Sequence, residues 1–140
     1  MTYYDNFIIG FKGSYIKNVT EKDNILFADI SGDHNPVHFQ DDVAEDAGFE
    51  GKISNGFVTE SRIAAALVET FGSESTLVVA LEKRIRFLKP VYMDDEITAT
   101  VEVVERLEPL QMLRIKAECH NGKKQRVIAA QFLIKIVDRQ

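Results

Sequence analysis

The sequence predicts an α+β domain in which one long buried helix is wrapped by an antiparallel sheet. Three observations predict it. The longest helical pattern, from about Phe57 to Phe71, is apolar over much of its surface, as only a buried helix is. After residue 73 nearly everything alternates with the period of a strand. The extended runs are separated by short turns, which join antiparallel neighbours. The chain has 140 residues, 45% hydrophobic and 28% charged. That suits one domain over 1–140 with a core that needs no disulfide or metal to hold it.

The elements follow in order. Gly13 to Val19 reads as a first strand. Thr20 is an N-cap, with Glu21 and Asp23 in the first turn where carboxylates suit the helix dipole. Ile25, Leu26, Phe27 and Ile30 supply the apolar face of that short helix, and Gly32 stops it. Asp33 to His38 is a polar loop broken by Pro36, and Asp41 to Ala47 holds one or two helical turns. In the long helix, Ile63, Leu67 and Phe71 share one face, with Phe57, Val58, Ala64 and Val68 beside them. Ala64 to Ala66 adds helix propensity, and Gly72 ends the run. Thr76 to Lys89 is a strand ending at Pro90. In Glu96 to Leu107 the side chains of Ile97, Ala99, Val101 and Val103 point one way. Met112 to His120 and Gln125 to Val137 follow, joined by the turn pair Asn121-Gly122. A single sheet on one helix leaves apolar surface, and pairing two sheets edge to edge in a dimer covers it.

Composition narrows the function. The formal net charge is −5, with no basic stripe for a phosphate backbone, which disfavours nucleic acid. Cys119 is the one cysteine, so no internal disulfide forms, and its strand-like setting suits a packed apolar residue. Met1 to Phe11 lacks the basic and apolar regions of a signal peptide. No apolar run approaches the roughly 20 residues of a membrane helix. The cytoplasm is the expected location.

Chemistry concentrates in Gly32-Asp33-His34-Asn35-Pro36-Val37-His38. Asp33 and His38 lie five apart on a loop kinked by proline, so their side chains can converge. A carboxylate and an imidazole together can hold a water and move its protons. Other readings of the same residues stand beside this one. Asp33 can satisfy turn amides, His38 can be a hydrogen-bonded core histidine, and Asp33, His34 and His38 are all metal-ligand types. A metal site is not expected, because paired cysteines and a helical His-x-x-x-His are missing.

The run Phe27-Ala28-Asp29-Ile30-Ser31-Gly32-Asp33-His34-Asn35-Pro36-Val37-His38 resembles the hydratase signature of the MaoC-like dehydratase, or (R)-specific enoyl-CoA hydratase, family. Ala47-Gly48-Phe49, Arg86-Phe87-Leu88-Lys89-Pro90-Val91-Tyr92 and Asp94-Asp95-Glu96-Ile97 resemble later parts of the same pattern, so the likeness runs from about Ser14 to the end. It implies a hot-dog fold, a homodimer or assembly of dimers, and an acyl thioester of coenzyme A or of acyl carrier protein as substrate. It implies no cofactor. Asp33 and His38 match the family's catalytic pair. Asn35 matches the asparagine beside them, either orienting the pair or serving as a turn residue before proline.

The implied reaction adds water across a trans-2-enoyl thioester to give the (R)-3-hydroxyacyl thioester, or reverses that step. Gly56, at the start of the long helix, would offer a backbone N–H to the thioester carbonyl. Its missing side chain would let the substrate approach, although tight helix packing also explains a glycine there. Two positions depart from the pattern. Many relatives have His-Gly where this chain has Asn55-Gly56, the pair that the resemblance places at the substrate, and some have a serine where it has Ala64, with Ser61 one turn earlier. Lys83, Arg84, Arg86, Lys89, Lys123, Lys124 and Arg126 are candidates for carrier phosphates, or simply solvated strand edges. Two other functions fit the same fold. A thioesterase would draw on a helix carboxylate such as Glu60, which reads more naturally as solvent-facing or as a partner of the helix dipole. A binding protein would hold the thioester without turnover.

Overall fold

The computed structural model describes residues 2–139. Its elements are β1 (Lys12–Asn18), α1 (Glu21–Ser31), α2 (Asp41–Asp46), α3 (Gly56–Phe71), β2 (Thr76–Phe87), β3 (Glu96–Leu107), β4 (Met112–His120) and β5 (Arg126–Asp138), with 3-10 turns at Tyr3–Asn6 and Pro36–His38. The strands form one antiparallel sheet in the order β1-β3-β4-β5-β2.

β3, β4 and β5 make the meander that the turn signals predict. β2 departs from it. Rather than pairing with β3, its neighbour in sequence, it crosses to the far side of the sheet and pairs with β5, from Thr76↔Asp138 to Phe87↔Ile128. Pro90 ends the ladder, since it has no N–H to donate. The segment after it is pinned by the bridge Ile53↔Tyr92 as it travels to β3. A run of alternating residues reads the same whichever neighbour it pairs with, so the sequence alone does not reveal the crossing.

α3 lies across one face of the sheet. Ile63, Ala66, Leu67 and Phe71 meet Ile97, Val101, Leu113, Ile115, Ile134 and Ile136 in a single buried cluster. Alternation with period two sends every second side chain of β3 and β4 into it. Gly13 of β1 sits so close to α3 that an added Cβ would lie 2.1 Å from Thr70 Oγ1. The Arg62 guanidinium reaches back from α3 to Asp23 Oδ2 at 2.8 Å and to the Asn18 carbonyl, tying the start of α1 to the helix. Burial alone would raise the Asp23 carboxyl, but Arg62 and the Thr20 amide and hydroxyl hold it below the usual range. Among the described residues no helix is long and apolar enough to cross a membrane.

Two helical faces differ from the sequence reading. α1 has the expected ends: Thr20 and Asp23 exchange cap hydrogen bonds at 3.1 and 3.2 Å, and Gly32 closes it at φ 80°. Ile25, Leu26 and Ile30 nevertheless point outward, Ile30 84% exposed, while Asn24 and Ala28 are buried and Phe27 packs partly against the core. The cause is chemical. Asn24 has hydrogen-bonding partners waiting on neighbouring segments, and with Ala28 one turn on it makes a small inward face. On α3, Phe57, Ala64 and Val68 lie on the exposed side rather than in the core. Replacing Phe71 with Ala should lower the unfolding free energy by about 3–5 kcal/mol, read by chemical denaturation. Ile30→Ser should change it by less than about 0.5 kcal/mol, where a core isoleucine would cost several times more.

Candidate active site

The polar loop is built from its own short-range bonds. The Asp33 amide donates to Ser31 Oγ at 3.0 Å and the Asn35 amide to Asp33 Oδ1 at 3.2 Å. Asn35 Oδ1 accepts from the Val37 amide at 3.3 Å, capping the turn that Pro36 opens. Asn35 thus builds the turn through its side chain and reaches Asp33 through its backbone amide. The turn buries the His38 ring, and Nδ1 lies 2.8 Å from the Ile53 carbonyl. A carbonyl only accepts, so Nδ1 carries the proton and a neutral ring keeps Nε2 as an acceptor.

α3 begins inside the protein, where its first amides need partners. Asn55 is the N-cap. Its Oδ1 accepts the Phe57 amide at 2.9 Å, and its carbonyl accepts the Val58 and Thr59 amides at 3.0 and 3.3 Å. Its own amide donates to Asn24 Oδ1 at 2.7 Å. Asn24 is held in turn by the Thr20 carbonyl at 2.9 Å and Ser54 Oγ at 3.2 Å. From residue 55 to 59, the Gly56 N–H is thus the one amide with no acceptor among the described residues. A side chain at Gly56 is also barred, since a Cβ would lie 2.7 Å from the Phe87 ring.

Asn55 joins this helix start to the loop. Its Nδ2 donates to Asp33 Oδ2 at 2.9 Å. That bond, helped by the Asn35 amide and by the charges of His38 and His34, holds the Asp33 carboxyl below its ordinary range. Asp33 and His38 do not hydrogen-bond to each other: Asp33 is held by Asn55 and His38 by the Ile53 carbonyl. Sequence reasoning placed Asn55 near the substrate but did not find its bond to Asp33. It missed Asn24 altogether, although an asparagine between cap and apolar residues of an amphipathic helix is a polar group that must find partners.

His38 and Gly56 line a cleft of about 370 Å³ whose walls include Phe49, Phe57, Thr59, Phe87, Val91, Val127 and Ile128. Phe57 separates it from a second cleft lined by Glu60, Ser61, Ala64 and Lys83. Glu60 is not solvent-facing: it is buried and ion-paired with Lys83, because β2 covers this side of α3. It does not share a cleft with His38. Of the seven basic candidates, Lys89 alone lines the His38 cleft. Arg126 pairs with Glu118, Arg84 and Arg86 are exposed on β2, and Lys123 and Lys124 sit in the loop after β4. Cys119 is buried with its thiol pushed up to about 12, so it stays protonated. Among the described residues no group of three His, Cys, Asp or Glu side chains is arranged to hold a metal ion.

Residues 10–124 match the family model described as MaoC like domain. An (R)-specific enoyl-CoA hydratase from Rhodospirillum rubrum is 28% identical over 84% of this chain and 80% of its own. A 3-hydroxybutyryl-CoA dehydratase from Methylorubrum extorquens is 25% identical over 99% of this chain and 86% of its own. The solved structure of an unliganded R-hydratase from Pseudomonas aeruginosa superposes with a TM-score of 0.83 at 28% identity, covering 98% of this chain and 89% of that one. The architecture is the hot-dog fold of these proteins.

Replacing Asn55 with Ala should raise the Asp33 pKa, because a hydrogen bond to the charged form is lost. Carboxyl-carbon NMR titration reads this directly. The same change should remove about 0.5–2 kcal/mol of stability through the lost cap.

Proposed function

The chain belongs to the MaoC-like domain family, and from that premise we propose that it hydrates trans-2-enoyl thioesters to (R)-3-hydroxyacyl thioesters, or catalyses the reverse dehydration. The observation that carries the proposal is the Gly56 N–H, without an acceptor among the described residues, on a residue that lines the same cleft as His38, with Asp33 bound to the preceding residue. The thioester carbonyl oxygen accepts from Gly56. Electron density drawn onto that oxygen makes C3 electrophilic, and the amide stabilises the enolate as it forms. Asp33, ionised well below neutrality, and His38 Nε2 hold the attacking water. The water oxygen bonds to C3 while its proton passes to this pair, and a proton is delivered to C2, so the elements of water add across the double bond. Each step uses side chains and a backbone amide of this chain. Lys89 at the cleft favours a carrier with phosphates, and coenzyme A is the substrate form we propose.

We also propose a homodimer paired along β2. That strand is an edge of the sheet, and Leu77, Val79 and Leu81 are exposed on it. Unprotected apolar edges invite pairing with another strand.

Loss of enoyl absorbance with crotonyl-CoA tests the reaction. Asp33→Asn and His38→Ala should each lower kcat/KM by about 10²–10⁴-fold while the fold, checked by circular dichroism, is retained. Full activity in Asp33→Asn would remove it from the mechanism. Placing lysines at Val79 and Leu81 together should convert the dimer to monomer in sedimentation, and a wild type that sediments as a monomer would refute the pairing.

A further inference from the structure

Three groups of the proposed hydration are set by residues 53–56. The Ile53 carbonyl takes His38 Nδ1 at 2.8 Å, Asn55 Nδ2 holds Asp33 at 2.9 Å, and the Gly56 N–H follows. Residues 53–55 lie outside the helices and strands, with the single bridge Ile53↔Tyr92. Their place therefore depends on a few tethers. The Ile53 amide donates to the Val37 carbonyl at 3.3 Å and the Ser54 amide to the Val91 carbonyl at 2.7 Å. Among the described residues, Asn24 is the one residue outside this stretch and α3 that bonds the Asn55 backbone, through Oδ1 at 2.7 Å.

Asn24 is itself fixed. It is buried, and Nδ2 donates to the Thr20 carbonyl at 2.9 Å and to Ser54 Oγ at 3.2 Å. A carbonyl only accepts and a backbone amide only donates, so one orientation of the side chain satisfies Thr20 and Asn55 together. The neighbouring Asp23 is tied to Arg62 of α3, which steadies the turn from which Asn24 reaches. Asn24 lines neither cleft. We propose that it is a positioning residue: by taking the Asn55 amide it sets where the Asn55 side chain meets Asp33 and where α3 begins, and so aligns the carboxylate with the Gly56 N–H. The inference rests on the hydratase reading and adds a residue to it. Asn55 Oδ1 is bonded to the Phe57 amide while Nδ2 holds Asp33, so freeing the Asn55 backbone loosens the helix start and the donor to Asp33 together.

The test is a double-mutant cycle read at Asp33. Carboxyl-carbon NMR titrations are run on the wild type, Asn24→Ala, Asn55→Ala and the double variant, with each fold checked by circular dichroism. Asn24→Ala should raise the Asp33 pKa, because a hydrogen bond to the charged form is weakened, and by no more than Asn55→Ala does. With Asn55→Ala already in place, the change at Asn24 should move Asp33 no further, as expected of residues acting in series. Asn24→Ser should behave as Asn24→Ala does: its hydroxyl can still bond the Thr20 carbonyl four residues back but falls short of the Asn55 amide. With crotonyl-CoA, Asn24→Ala should lower kcat by about 10–10²-fold, the cost of a small displacement of reacting groups, while KM changes little. An Asp33 titration that stays in place in both folded Asn24 variants would overturn the proposal. So would shifts that add in the double variant, or an unchanged kcat. A shifted Asp33 in a protein whose wild type turns over no enoyl thioester refutes the hydratase reading and leaves the Asn24 link to Asp33 standing. Turnover that falls with no Asp33 shift refutes only the role of Asn24.

Discussion

α3 starts from a buried residue, Asn55, and the surroundings are arranged to take up amide hydrogens at its first turn. An unpaired buried amide costs about 1–3 kcal/mol, so leaving several unmet would consume much of the stability of a small domain. Asn55 satisfies three amides, and Asn24 satisfies that of Asn55 itself. Asn24 does so from the inward face of α1, which it forms with Ala28 while Ile25, Leu26 and Ile30 lie outside. The Gly56 N–H is left open, and Phe87 packs where its side chain would be.

The same arrangement links position to charge. Asn55 both caps α3 and donates to Asp33, so the carboxylate is registered to the helix start rather than to its own loop alone. An asparagine does not titrate, so its hold on Asp33 changes with pH only where Asp33 itself takes up a proton. A histidine at this position would bring a charge of its own that varies with pH. The substitution that first reads as a departure from the family pattern keeps a donor facing the acid and removes that variation.

Much of this is legible in the sequence, and the remainder is illegible for definite reasons. The five strands, the caps Thr20 and Gly32 and the length of α3 follow from local periodicity and turn chemistry. So does the position of the Asp33–His38 loop. The inward face of α1 does not, because periodicity counts apolar residues and does not see that Asn24 has partners thirty residues away. The crossing of β2 to β5 is equally silent, since an alternating strand fits either neighbour. Glu60 reads as a surface charge until β2 is laid over it with Lys83. Asn35 is open in the sequence between orienting the pair and building the turn; its Oδ1 accepts a turn amide while its own amide donates to Asp33.

The central claim is that the Gly56 amide is held open to receive a thioester carbonyl. The most direct measurement is its own proton resonance during titration with butyryl-CoA, which binds without reacting. The Gly56 N–H should move markedly downfield and saturate with the binding isotherm, while the amides of Phe57 and Val58, already hydrogen-bonded, move little. Saturable binding that leaves the Gly56 resonance in place would contradict the account.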